Sequence, residues 1–197
     1  MMKLVCFGDS LTARKEGLLE PMFTAKLKEN LPNFTIINAG VSGDNTFDAI
    51  NRLERDVLQH HPDFVTILFG ANDAAFHKQV ALGDYKQNLT HIVQAIGSER
   101  SILLSTAPVD ETVQYARTNA VLTQYADAVQ QVANETRSRY IDFFSKMIAL
   151  PDYQVRLKGI KNDGLHFGEA AYTLLAELIS DIILADQLLK KELKEYQ

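Results

Sequence analysis

Five short stretches of the chain are almost continuously apolar: Lys3–Phe7, Phe34–Asn38, Phe64–Phe69, Ser101–Ser105 and Tyr140–Phe143. A strand with one wet face alternates apolar and polar residues. Unbroken apolar runs of this length instead mark strands covered on both faces, as in a parallel sheet between two helical layers. The segments between them agree, since Leu18–Asn30, Thr46–His60, Asp84–Gly97 and Thr112–Arg137 are each long enough for a crossover helix. In Thr46–Leu58 the apolar Phe47, Ile50, Leu53, Val57 and Leu58 recur at helical spacing, which leaves Asp48, Arg52, Glu54 and Arg55 for the wet face. Asp44 or Asn45 is the expected cap, Asp44 foremost. Phe167–Leu189 reads as a closing helix with Tyr172, Leu175, Ile179, Ile182 and Ile183 in one stripe, followed by a charged, frayed tail from Lys190 to Gln197.

An alternating β and α order with right-handed crossovers predicts an α/β protein, a three-layer α/β/α sandwich on a five-stranded parallel sheet. Neither an internal repeat nor a Pro/Gly/Ser linker interrupts it, so residues 1–197 are expected to form a single domain. Strand order is not legible at this stage. Ligands of such sheets nevertheless sit at the carboxyl ends of the strands, near the switch in strand order.

At those ends stand Gly8-Asp9-Ser10, Gly40-Val41-Ser42-Gly43-Asp44 and Gly70-Ala71-Asn72-Asp73. Acyl transfer needs a hydroxyl free to attack and donors aimed at the oxygen that becomes negative, and small and amide residues can supply both. Serine also needs a base whose pKa lies near neutrality, and imidazole is the common candidate. Asp163-Gly164-Leu165-His166 arrives late in the chain, with His166 as that base and Asp163, three residues earlier, as the carboxylate that orients it. Asp9 and Asp73 read as loop supports, and Ser42 as a turn residue.

These four blocks, in this order and over essentially the whole chain, resemble the GDSL/SGNH hydrolases: Gly8-Asp9-Ser10-Leu11, Gly43, Gly70-Ala71-Asn72-Asp73 and Asp163-Gly164-Leu165-His166. The resemblance implies a flavodoxin-like sandwich and a serine esterase or lipase. It assigns Ser10 as nucleophile, with Ser10 N–H, Gly43 N–H and the Asn72 side chain as oxyanion-hole donors. The stretch Val65–Ala74 is also similar to isoamyl acetate-hydrolysing members, although acylesterases and thioesterases share the same blocks. The substrate expected is a small-molecule ester, possible thioester or sugar acetate included. The rival is a flavodoxin-like binding module without catalysis.

Other chemistries find less support. No Gly-x-Gly-x-x-Gly or phosphate loop follows the first strand, and Gly8-Asp9-Ser10-Leu11-Thr12 is not the Gly-x-Ser-x-Gly elbow. No cofactor or metal is expected, since His60-His61 before Pro62 reads as a helix-end cap, and His91 as exposed. His77 follows the Asn72 block closely enough to reach the cleft, but the stronger expectation is that it does not line it. A net charge of −5 without a basic run gives nucleic acid no electrostatic reason to bind. Lacking an apolar run of about 18 residues, the chain is expected to carry no integral membrane segment and to work in the cytoplasm. The lone Cys6, inside the first apolar run, reads as a buried hydrophobe. Substrate pockets are expected from Ala74–Gly83, Pro108–Asn119 and Met147–Lys158, with Tyr115, Met147, Tyr153 and Val155 as candidate walls by position only, core or surface being an equal alternative for each. Oligomeric state is not legible.

Overall fold

The computed structural model describes residues 1–195; Tyr196 and Gln197, the end of the expected tail, lie outside the described residues. Five parallel strands, β1 (Met2–Gly8), β2 (Phe34–Gly40), β3 (Phe64–Leu68), β4 (Ser101–Leu104) and β5 (Arg139–Ile141), form one sheet in the order β2-β1-β3-β4-β5. All of β3 and β4 is buried, as their unbroken apolar runs require, whereas the edge strands β2 and β5 are half-covered.

The helices are α1 (Ser10–Ala13), α2 (Met22–Asn30), α3 (Thr46–Asp56), α4 (Leu82–Ile96), α5 (Asn119–Thr136), α6 (Phe143–Ile148), α7 (Tyr153–Arg156) and α8 (Glu169–Glu195), with a 3₁₀ turn at Leu58–His60. One layer packs α2 against α8, the other α3, α4 and α5 in succession, so the sheet is sandwiched as expected. Among the described residues, no helix is long and apolar enough to cross a membrane.

Several boundaries moved for identifiable reasons. The run Tyr140–Phe143 breaks because Asp142 accepts the Ser145 N–H at 3.0 Å and starts α6 at Phe143. The helix expected from Thr112 begins only at Asn119, where Thr118 Oγ1 accepts from Val121 N–H. Upstream, the Asp110 and Gln114 side chains hold their own loop instead, accepting from Thr112 and Ala116 N–H. Pro21 delays α2 to Met22, since proline is tolerated at a helix start and not inside it. Helical backbone also runs through Lys190–Glu195, so that part of the tail is not frayed.

The largest correction concerns α3. Its cap is Asn45, whose side chain accepts from Phe47 and Asp48 N–H while Asp48 reaches back to Asn45 N–H, a capping box. Phe47 is 48% exposed and Arg52, expected on the wet face, is only 7% exposed. Asp44, freed from capping, pairs with Arg52 Nε at 2.6 Å, and Asp56 accepts from Arg52 Nη1 at 3.2 Å. The guanidinium also donates to the carbonyls of Ala39 (2.7 Å) and Gly8 (2.9 Å) and lies 4.6 Å from the Phe7 ring centroid. Burial of this charge is compensated by two carboxylates, two carbonyls and an aromatic face, which hydropathy alone cannot register.

Candidate active site

Register brings the strand ends level. Gly8 of β1 lies beside Gly40 of β2 and beside Leu68 of β3, so the chain leaves three adjacent strands at one edge, where the strand order reverses around β1. Directly after β1, Asp9 Oδ1 accepts the Leu11 N–H at 2.8 Å and turns the chain into α1, whose first residue is Ser10. That short helix sits against β2. A Cβ on Gly40 would stand 2.5 Å from Ala13 N and 2.8 Å from the Thr12 carbonyl carbon, so only glycine lets α1 approach this closely.

The imidazole comes from the far end of the chain. His166 Nε2 lies 2.9 Å from Ser10 Oγ, and His166 Nδ1 lies 2.7 Å from Asp163 Oδ2. The second oxygen of Asp163 accepts the N–H groups of His166 (3.0 Å) and Leu165 (3.1 Å), so this turn fixes its own carboxylate. Partial burial acts to raise the Asp163 carboxyl, but hydrogen bonds from the His166 main chain and ring outweigh it and hold it below its ordinary value. For His166, burial outweighs the attraction of Asp163 and leaves the imidazole below its ordinary value, hence neutral and able to accept a proton.

Gly43 lies in the turn after β2 with φ +91°, and its carbonyl accepts from Lys78 Nζ at 2.9 Å. Among the described residues, neither Ser10 N–H nor Gly43 N–H has an acceptor. Asn72 is placed beside them, yet its amide is not idle: Nδ2 donates to the Asp44 carbonyl at 2.8 Å and more weakly to Asp9 Oδ2 at 3.3 Å. Asp9 supports its loop as expected, one oxygen capping α1 and the other accepting from Asn72. Its buried carboxyl is pushed up to about 7 by desolvation, against the Leu11 hydrogen bond, with Asp73 raising and Arg117 lowering it further. Asp73 does support a loop, accepting from Thr46 N–H (2.9 Å) and Oγ1 (2.6 Å) at the head of α3.

A small hollow of about 160 Å³ opens beside the Asn72 loop between Ala74, Phe76, Tyr115 and Val121, where the Phe76 N–H meets the Ala116 carbonyl at 2.9 Å. Two of the expected pocket loops thus meet. Met147 is not a wall, because it faces inward from α6 and is fully buried in the core; Val155 is exposed and Tyr153 half-buried. His77 is exposed, its ring edge-on to Phe76. A larger hollow, about 510 Å³, lies at the opposite edge of the sheet near Met2, Phe34 and Asp63, far from the strand ends that carry the serine and imidazole.

Sequence patterning missed three charged residues near this edge. Arg52 ties the carbonyl of Gly8, the last residue of β1, to that of Ala39, the last but one of β2, Glu16 reaches the His166 loop, and Arg117, 7% exposed, feels both Asp9 and Asp163. Each reads as an ordinary surface charge in the chain, and no spacing signals otherwise.

The model of the GDSL-like lipase/acylhydrolase family matches residues 6–174. The chain belongs to that family. As a family member it is a serine ester hydrolase, and the reading as a binding module without catalysis is not favoured. It is 30% identical to a GDSL esterase/lipase of Arabidopsis thaliana, covering 90% of this chain and 84% of the relative. It is 31% identical to the human isoamyl acetate-hydrolyzing esterase 1 homolog, covering 83% and 74%. The solved structure of a lipase/acylhydrolase from Enterococcus faecalis superposes with a TM-score of 0.87 at 32% identity, over 93% of this chain and 95% of that one. The sandwich and its strand edge are accordingly those of this hydrolase family.

Proposed function

We propose that the chain cleaves carboxylic esters through an acyl-enzyme on Ser10. Ser10 Oγ attacks the ester carbonyl while His166 Nε2 takes its proton, and Asp163 holds the ring and stabilises the imidazolium. The tetrahedral oxyanion is received by Ser10 N–H, Gly43 N–H and one N–H of Asn72, the last released from its 3.3 Å contact with Asp9. The C–O bond then breaks, His166 returns the proton to the departing alcohol, and water activated by the same imidazole frees the acid. The observation that carries this reading is the continuous line Ser10 Oγ, His166, Asp163, with steps of 2.9 and 2.7 Å between residues 156 and 3 positions apart.

Small or lipid-like carboxylic esters are the substrate class, supported by the likeness to the isoamyl acetate-hydrolyzing esterase homolog and the arylesterase of Vibrio mimicus. The same proposal takes residues 1–197 as one domain, supported by a single sheet and one continuous core. It also puts the protein in the cytoplasm, where its one thiol, Cys6, would stay reduced. Ser10→Ala and His166→Ala, assayed on p-nitrophenyl butyrate, are expected to lose at least about 10³-fold in kcat. Retention of more than a few per cent of wild-type turnover in either variant would overturn the assignment.

A further inference from the structure

We infer that Glu16, locked by Arg14, is a positioning residue that holds the His166 loop in register with Ser10. The inference rests on the reading of Ser10 and His166 given above. Its starting point is a contact across 144 residues: Glu16 Oε2 accepts the Ile160 N–H at 2.7 Å. One residue back, the Gly159 N–H donates to the His166 carbonyl at 2.9 Å. A Cβ on Gly159 would stand 2.6 Å from Glu16 Oε2 and 2.7 Å from the His166 carbonyl oxygen, so the carboxylate and the His166 main chain share one tight contact. The other end of the link is anchored on the nucleophile's turn, where Arg14 N–H donates to the Ser10 carbonyl at 3.0 Å and Arg14 Nε pairs with Glu16 Oε1.

Three features separate this from a surface ion pair. The Glu16 side chain is 2% exposed. Its backbone has φ +43°, a region non-glycine residues enter only where surrounding contacts compensate, and such strain gathers at functional sites. The carboxylate is also divided, with one oxygen for the guanidinium and one for the distant loop, so it joins the two segments and does not merely neutralise Arg14. The hydrogen bond from Tyr172 Oη to the Leu11 carbonyl, 2.9 Å, braces the chain downstream of His166. Glu16 braces it upstream, and Asp163 orients the ring within its own turn.

The pair also shapes the field at the imidazole. The charges facing His166 are Asp163 on its own turn and Arg14 and Glu16 on the loop after α1, while Arg117 and Asp9 act one step removed, Arg117 through Asp163 and Asp9 through Arg117. Glu16 favours the imidazolium and Arg14 opposes it, so neutralising one leaves the other uncompensated.

The test is kcat, KM and the pH dependence of kcat/KM on p-nitrophenyl butyrate for Glu16→Gln, Glu16→Ala, Arg14→Gln and Ser10→Ala, with Tm recorded for each. Misplacing a base by about 1 Å costs on the order of 10²-fold. Glu16→Gln, which keeps an acceptor, is expected to lower kcat about tenfold and Glu16→Ala about 10²-fold, both with KM within about twofold of wild type. The acid limb is expected to move to lower pH in Glu16→Gln and to higher pH in Arg14→Gln, opposite shifts that a general loss of stability does not produce. Folded Glu16 variants with wild-type kcat and an unmoved acid limb overturn the inference. If neither Glu16 variant folds, Arg14→Gln decides alone, and an unmoved limb in that variant overturns it. Activity surviving in Ser10→Ala would instead overturn the underlying reading of the site.

Discussion

His166 works between opposed influences. Burial favours the neutral ring, Asp163 favours the charged one, and burial prevails. Since the proposed proton abstraction needs the neutral ring, activity is expected above the His166 pKa and is expected to be lost as pH falls through it. That pKa lies below the ordinary imidazole value of about 6.5, so kcat/KM at pH 6.5 is expected to exceed half its plateau and to fall away only at lower pH. A pH–rate profile with its half-point above 7 would contradict this. Asp163→Asn keeps the shape of the side chain but disfavours the tautomer that receives Ser10's proton, so a loss of about 10³- to 10⁴-fold in kcat is expected on the precedent of the same change in serine proteases. Steady-state kinetics at pH 8, where His166 is neutral in either case, separates this effect from the acid limb.

The elements that carry the site are held by α3 as much as by the sheet. Arg52 joins Asp44, Asp56 and the carbonyls of Gly8 and Ala39, the residues at which β1 and β2 give way to the functional loops. Removing Arg52 leaves Asp44 and the two strand carbonyls without the guanidinium that compensates their burial, while Asp56 keeps Arg55. Arg52→Met is therefore expected to destabilise the fold by about 3–5 kcal/mol, read from urea unfolding midpoints at constant m. A loss under about 1 kcal/mol would mean the cluster is incidental. Arg52 also shows where sequence patterning stops. The strands were legible because burial on both faces writes itself as unbroken apolar runs, and the existence of α3 because Ile50, Leu53, Val57 and Leu58 recur at helical spacing, although its cap and its buried charge were not. A buried guanidinium leaves no such trace, since its partners lie on other elements. Phe47 misled in the same way, being apolar at helical spacing and yet 48% exposed. Boundaries at Asn119 and Phe143 were set by the side chains of Thr118 and Asp142, local competitors of the backbone that periodicity ignores.

Across the molecule, one sheet edge gathers residues from both ends of the chain. The juxtaposition of Ser10 and His166 was legible because serine chemistry demands a base and the Asp163–His166 turn offered an imidazole. Asn72 was legible as an amide at a strand end, but its bonds to Asp44 and Asp9 were not, because they depend on how two loops meet. Glu16 was invisible for the same reason, its partner lying 144 residues away. The central claim is that this edge makes Ser10 a nucleophile by placing His166 against it. The most direct measurement is peptide mapping by mass spectrometry after reaction with a fluorophosphonate. One adduct on Ser10 is expected, absent in Ser10→Ala and formed at least about 10²-fold more slowly in His166→Ala. An adduct on another serine, such as Ser42, or labelling of Ser10 at an undiminished rate without His166, would contradict the account.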